Sequence, residues 1–378
     1  MRAFMLLVSA AFVLSGCMHA PDRAHSALEA GKASIAGYGE IRTYFDARLD
    51  EIPANIGDWG PAKADGMDFL MISGGGSGGA FSVGVLSAWS ETKKRPRFDV
   101  VTGVSTGALI APYAFLGSAY DDELKRLYTS GVAGDLVKTK GPIGLFGSSL
   151  LRAGPLRSMI ERAITAGVMR QIATEHRKGR RLFVLTTNLD TQRGVVWNMG
   201  AIAASGHPDA LRLFHDIIIA SASIPGIYPA VMIRAQAEGH YFQEMHSDGG
   251  STSQILTLPQ VLLTSRNPAA PPDRQKVNFY VIVNNALMPE FGVTRNRTVS
   301  AISTAYSIYM KSQAQSELTA LYNFAERTGA SFHVAAIDAQ VPYSMLDPFN
   351  SGYMTAVYDL GYEGLAAGTL WRNSPVFR

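Results

Sequence analysis

Twice between Phe69 and Ala111 a run of strand-formers ends in glycine and passes, with no linker, into a helix-like segment. The first run is Phe69-Leu70-Met71-Ile72, followed by Ser73-Gly74-Gly75-Gly76-Ser77-Gly78-Gly79. The second is Phe98 to Thr102, followed by Gly103-Val104-Ser105-Thr106-Gly107 and the apolar stretch Ala108 to Leu116. A helix that follows its strand so closely lies back across it, which favours parallel strands joined by helical crossovers. From Met67 on, apolar strands alternate with longer helical segments, so the expected fold class is α/β, with a central mostly parallel sheet flanked by helices. Strands are expected at Asp68–Ser73, Asp99–Thr102, Leu182–Thr187, Val195–Asn198, Ala230–Ile233, Phe279–Asn284 and Ser331–Ala336. Helices are expected at Gly79–Trp89, Thr106–Leu116, Asp121–Tyr128, Pro155–His176, Ala210–Ala220, Arg295–Arg327 and Met354–Leu365. The Gly-rich segment from Gly131 to Gly154 reads as a loop or lid, or as a plain surface excursion.

The second glycine turn fits G-x-S-x-G. In that pattern a serine at the tip of a strand–helix turn takes a strained backbone conformation, and small residues on either side let strand and helix approach. The helix N-terminus beyond it favours developing negative charge. Alone, the pentapeptide also suits an ordinary strand–helix junction. In the first turn, consecutive glycines let backbone N–H groups converge on an anion. A phosphate-binding Walker loop would need Lys-Ser/Thr after the glycines, where Ala80-Phe81 stand. A dinucleotide fingerprint is nominally met by Gly74, Gly76 and Gly79, but no acidic residue ends a strand about 20 residues later. An oxyanion loop and a merely structural turn are what is left.

A serine nucleophile needs a base. The histidines are His19, His25, His176, His207, His215, His240, His246 and His333, and none sits in a late loop that singles it out. His333 is expected to pack within a strand. Ser247-Asp248-Gly249-Gly250 places an aspartate on a glycine turn, a common motif when taken alone.

As a set, G-G-G-x-x-G, G-x-S-x-G and the distant D-G-G resemble the patatin-like phospholipases. So do the segments Leu182 to Met199 and Ile217 to Val231, the latter carrying Ala-Ser-x-x-x-Pro ahead of the aspartate. The resemblance runs from Met67 to about Gly250. It implies a three-layer patatin-like fold and a serine lipid acyl hydrolase, phospholipase A or esterase-like, with a Ser–Asp dyad and no histidine. Carried over, Ser105 is the nucleophile, Asp248 takes its proton, and the backbone N–H groups of Gly74, Gly75, Gly76, Ser77, Gly78 and Gly79 supply the oxyanion hole. The substrate class implied is a lipid or other acyl ester, with no cofactor and no metal. One position departs: the family often has Arg or Lys two residues after the third glycine, and here it is Gly78. That departure supports an alternative, a weakly catalytic or non-catalytic envelope lipoprotein with a binding role. An ordinary α/β-hydrolase triad using one of the histidines is a third reading.

The N-terminus reads as an export signal. Arg2 precedes the short apolar run Phe4 to Leu14, and Leu14-Ser15-Gly16-Cys17 then resembles the lipobox of bacterial lipoproteins, with Cys17 as the lipidated residue. Cys17 is the only cysteine, so the mature chain has no disulfide to form. The expectation is a membrane-anchored lipoprotein of a bacterial cell envelope, leaning toward the outer membrane because Met18 rather than Asp follows Cys17. Charged residues are 17% of the chain, against about 25% in typical domains. A net charge of +3, without basic clusters interleaved with aromatics, argues against nucleic acid as a partner. The expected organisation is a signal peptide over 1–17, a tether and extension over 18–65, a catalytic domain over 66–290 and a helix-rich part over 291–378.

Overall fold

The structure is a computed structural model that describes residues 23–53, 66–131, 134, 149, 151–264, 276–289, 291–294, 296–339, 341 and 349–375. The signal-peptide reading, Cys17, His19 and most of the Gly131–Gly154 segment lie outside the described residues. The strands are β1 (Arg42–Tyr44), β2 (Met67–Ile72), β3 (Val100–Val104), β4 (Arg181–Asn188), β5 (Arg193–Asn198), β6 (Val231–Ala237), β7 (His240–Asp248), β8 (Val277–Ala286) and β9 (Ser331–Ile337). The helices are α1 (Ala27–Gly31), α2 (Gly79–Glu91), α3 (Thr106–Leu116), α4 (Asp121–Thr129), α5 (Ala153–Ala163), α6 (Ala166–Arg177), α7 (Met199–Ala204), α8 (Ala210–Ser221), α9 (Gln260–Thr264), α10 (Thr298–Thr328) and α11 (Ser351–Ala366).

Among the described residues the strands form one sheet in the order β1-β5-β4-β3-β2-β8-β9, with β6 pairing β7 and β7 pairing β4. Five strands, β4, β3, β2, β8 and the edge strand β9, run parallel, and β1, β5, β6 and β7 add an antiparallel flank. Sequence pattern explains the division. Every residue of β3 and β4 is buried, as in a strand covered on both faces. In β6 and most of β7 burial alternates, as in a sheet wetted on one face. Two core clusters fill the two sides of the sheet. One holds α2, α3, α5, α6, α8 and α11, the other holds α10 with the segment Ile255 to Leu258. No helix among the described residues is long and apolar enough to cross a membrane.

The expected strands are all present. The helix expected over Pro155–His176 is instead two, α5 and α6. Ile164 leaves the helical region at φ −99° and ψ 85°, and the Thr165 side chain caps a new helix by accepting from the Val168 N–H. That cap satisfies one of the amides a helix start leaves open, so the break costs little. Strands β1 and β7 and the short helices α7 and α9 are absent from the expected elements, although the residues before Asp248 have strand character.

Helices α2 and α11 pack backbone against backbone. An added Cβ at Gly84 would stand 2.0 Å from the Tyr358 carbonyl oxygen, and one at Gly361 would stand 2.5 Å from that of Phe81. The two backbones touch, and the start of α2 is thereby held where the glycine loop feeds into it. Gly84→Ala is expected to destabilise the protein by about 2–4 kcal/mol, through overpacking at a rigid backbone contact. Gly154→Ala meets nothing within 4 Å in α5 and should leave stability unchanged or raise it by up to about 1 kcal/mol. Urea melts of the two variants test this, and equal effects would refute the packing argument.

Candidate active site

β3 and β7 approach each other end to end along one edge of β4. The other edge of β4 is occupied by β5 from Phe183 to Asn188. β3 pairs with β4 as far as Val104↔Leu185, and β7 takes over at Asp248↔Thr186. Ser105 follows the last paired residue of β3, so the ends of the two strands bring Ser105 and Asp248 together. The Ser105 hydroxyl donates to Asp248 Oδ2 at 2.6 Å, with both residues buried.

Ser105 has φ +53° and ψ −120°, a region non-glycine residues rarely occupy, and holding it costs on the order of 1–3 kcal/mol. Its N–H donates to Ser221 Oγ at 3.0 Å, and that hydroxyl donates to the Leu185 carbonyl at 2.7 Å. The flanking glycines are sterically required. A Cβ on Gly103 would lie 2.4 Å from Gly107 O, and one on Gly107 would lie 2.2 Å from Ile72 O.

The Asp248 backbone is fixed by its N–H to Ser223 O at 2.9 Å and by the Thr187 hydroxyl to its carbonyl at 2.9 Å. Its Oδ1 accepts from the Gly250 N–H at 2.7 Å. Burial pushes the Asp248 carboxyl up to about 7, with the bonds from Ser105 and Gly250 opposing the rise. A carboxyl in that range can accept a proton and return it near neutral pH.

Of the six residues expected to line an oxyanion hole, three have amides already used. The Gly74 N–H donates to Gln254 O, that of Gly78 to Gly75 O, and that of Gly79 to the carbonyls of Gly76 and Ser77. Gly75 and Gly76 carry positive φ values of 146° and 54°, and Gly76 lines the cleft beside Ser105. With those three set aside, Gly75, Gly76 and Ser77 are the candidates of the six, of which Gly76 lines the cleft, and the loop runs through a short 3-10 turn directly into the N-terminus of α2. At Gly78 a Cβ would stand 2.1 Å from Asn284 O, so this backbone has no room for a side chain at that position.

The cleft extends from Ser105 and Gly76 between Leu109, Tyr113, Met159, Ile160, Ile218 and Tyr228, and its walls are almost wholly apolar. The described histidines lie elsewhere in their bonding. His246 uses one ring nitrogen on Thr186 and the other on Glu244, His215 bonds Ile164 O, and His333 stacks on Tyr280 and bonds Asn373.

The sequence of the family described as patatin-like phospholipase matches residues 70–271, more than half of the chain. The chain belongs to the patatin-like phospholipase family. Patatin-like phospholipase domain-containing proteins from two strains of Cryptococcus neoformans are 28% identical over 221 residues, which is 56% of this chain and 23% or 22% of theirs. The chain thus spans less than a quarter of the length of these curated relatives. Among solved structures, VipD from Legionella pneumophila aligns at 11% identity and a TM-score of 0.39, over 82% of this chain and 68% of its own. Human GIVD cytosolic phospholipase A2 aligns at 11% identity and 0.33, over 75% and 47%.

Two residues beyond the family match hold the site, and sequence reading missed both. Asn284, at the end of β8, donates its amide to Ser73 O at 2.9 Å, and its Oδ1 accepts from the Ser82 hydroxyl at 2.6 Å. It therefore ties the glycine loop to α2. Glu317, on α10, accepts from the Ser253 hydroxyl, the Gln254 N–H and the Ile255 N–H at 2.7, 3.1 and 2.8 Å. Gln254 in turn donates to Gly250 O at 2.7 Å while its carbonyl takes the Gly74 amide. One buried carboxylate thus fixes the segment that touches both the Asp248 turn and the glycine loop. The available signal was weak: Glu317 is the sole acidic residue from Phe291 to Ala325.

Because the folded Asp248 titrates near 7 rather than at 3.8, the native state binds its proton more tightly than the unfolded chain. The stability this gives is complete below pH about 4 and is lost as pH rises through about 7. Asp248→Asn escapes that loss. Relative to wild type it should gain about 2–4 kcal/mol at pH 8 and far less at pH 4 in urea melts. A gain independent of pH would refute the desolvation argument.

Proposed function

We propose that this chain is a serine lipid acyl hydrolase, phospholipase A or esterase-like, acting at a membrane surface through a Ser105–Asp248 dyad. The observation that carries the reading is the 2.6 Å bond from the Ser105 hydroxyl to a buried carboxylate at the head of an apolar cleft. Asp248 takes the hydroxyl proton as Ser105 Oγ attacks the ester carbonyl, and the resulting oxyanion faces the amides of Gly75 and Gly76. Collapse of this intermediate passes the proton from Asp248 to the leaving alcohol and leaves an acyl group on Ser105. Water, deprotonated by Asp248, then attacks the acyl-enzyme, releasing the fatty acid and restoring the serine. An acyl chain suits the cleft because its walls offer methyl and aromatic surface and almost no polar partner. Selection of a phospholipid head group does not come from a loop cation, since Gly78 occupies that position.

The same reading places the chain on a bacterial envelope membrane, the outer one by preference, through acyl groups on Cys17. Cys17→Ser should move the protein from the membrane to the soluble fraction, and unchanged fractionation would remove the anchor from the proposal.

Fluorophosphonate labelling tests the chemistry. Wild type should label, Ser105→Ala should not, and Asp248→Asn should lose at least about 100-fold in rate. His333→Ala should label as wild type. Since the ionised carboxylate is the base, the labelling rate should climb with pH and level off above about 7. Retention of labelling by Asp248→Asn would exclude the dyad. A wild type that takes no label would establish the competing reading, a lipid-binding protein on this fold, which the missing loop cation favours.

A further inference from the structure

Ten large hydrophobic side chains are markedly exposed among the described residues, and five of them fall between Phe291 and Tyr309. Phe291 is 95% exposed and Val293 88%, and Ile302, Ile308 and Tyr309 follow on the first turns of α10. None of the described residues from Ser300 to Ser312 is fully buried, and most are exposed. This end of the helix touches the fold next to the site. The Tyr306 phenol is raised by burial and by the Asp248 carboxylate, and the Tyr309 hydroxyl donates to Ser251 O at 3.3 Å.

We infer that the exposed described residues between Phe291 and Tyr309 (Phe291, Val293, Arg297, Ile302, Ile308 and Tyr309) form the surface on which the protein docks to an anionic lipid bilayer, with the mouth of the Ser105 site beside it. The inference rests on the hydrolase reading above for its purpose, and on two observations together with the proposed Cys17 anchor for its occupant. The first is the exposed apolar set itself, a composition that water disfavours and a lipid interface accepts. The second is charge: the described residues from Phe291 to Ser312 include Arg297 and Lys311, the latter with its Nζ also on Met288 O at 3.1 Å, and no Asp or Glu. Basic residues interleaved with exposed apolar ones match an anionic head-group layer over acyl chains. The third support is where the proposed anchor would attach, at the first described residue, Arg23. Arg23 pairs with Asp190, just past the C-terminal end of β4, and Asp190 also accepts from the Met245 N–H at 2.8 Å. The parallel strands β2, β3, β4 and β8 all finish at that end, as do Ser105, Asp248 and the start of α10. The six residues from Arg23 back to Cys17 can reach at most roughly 20 Å. A lipid on Cys17 would therefore hold this end of the sheet, and not the opposite one, near the bilayer.

The test uses the full chain with Cys17→Ser, so that acylation cannot mask the contact. Sedimentation with phosphatidylglycerol-containing vesicles should exceed that with pure phosphatidylcholine vesicles. The double change Ile302→Ser with Ile308→Ser, and separately Phe291→Ser, should each reduce vesicle binding and vesicle-lipid hydrolysis by about tenfold. Hydrolysis of a water-soluble short-chain ester by these variants should stay at the parent level, because none of the three residues lines the cleft. Variants that sediment like the parent overturn the proposal. It is also overturned if gel filtration finds the parent dimeric and the Ile302/Ile308 variant monomeric, since a second copy would then be the occupant. A parent that binds vesicles but hydrolyses no ester would sink the catalytic reading and leave the docking surface standing.

Discussion

One edge of β4 brings Ser105 and Asp248 together. β3 ends opposite Leu185 and β7 ends opposite Thr186, so the last residues of a parallel and an antiparallel strand abut on the same edge. The arrangement depends on register, because a slip of β7 by one residue would turn Asp248 to the other face of the sheet. Glu244, His246 and Asp248 alternate along one face of β7, and the first two are fixed by a buried network. Arg42 makes two bonds to Glu244, His246 bonds both Glu244 and Thr186, and the Trp197 indole donates to Thr186 at 2.8 Å. Burial works against the Glu244 charge, yet Arg42 and His246 hold the group down at about 2. Sliding β7 would leave that charge buried without its partners, at a cost of several kcal/mol.

How much of this was legible follows from how local each feature is. Ser105 and the glycine loop are written in consecutive residues, and their geometry needs only a strand, a turn and a helix. The glycines at 103 and 107 could be read as steric necessities before any contact was known, and both contacts are backbone to backbone. Asp248 was different: Ser-Asp-Gly-Gly is a common turn, and only its company with the two upstream motifs singled it out. Asn284 and Glu317 were invisible because each acts across more than 60 positions of sequence, on a segment whose own pattern is unremarkable. The broken helix at Ile164 shows the converse limit. A continuous helical pattern did not reveal that a threonine two residues before a glycine would start a new helix.

The absent cation of the glycine loop and the raised Asp248 carboxyl belong to one constraint. Gly78 has no side chain because the end of β8 lies directly on the loop, with Asn284 O at 2.1 Å from where a Cβ would be. A basic residue there would need the loop to lift from β8, breaking the bonds from Asn284 to Ser73 and admitting water to the site. It would also change the base. Asp248 is set by burial, with only the Ser105 hydroxyl and the Gly250 amide opposing, and no charged group enters the balance. A guanidinium beside the oxyanion position would favour the ionised carboxylate and weaken it as a proton acceptor. In the proposed reaction, an oxyanion held by the neutral amides of Gly75 and Gly76 would leave Asp248 basic near neutral pH. Neutral donors gain strength in a dry, low-dielectric site, so under that proposal the close packing that excludes the cation would also let the amides serve in its place.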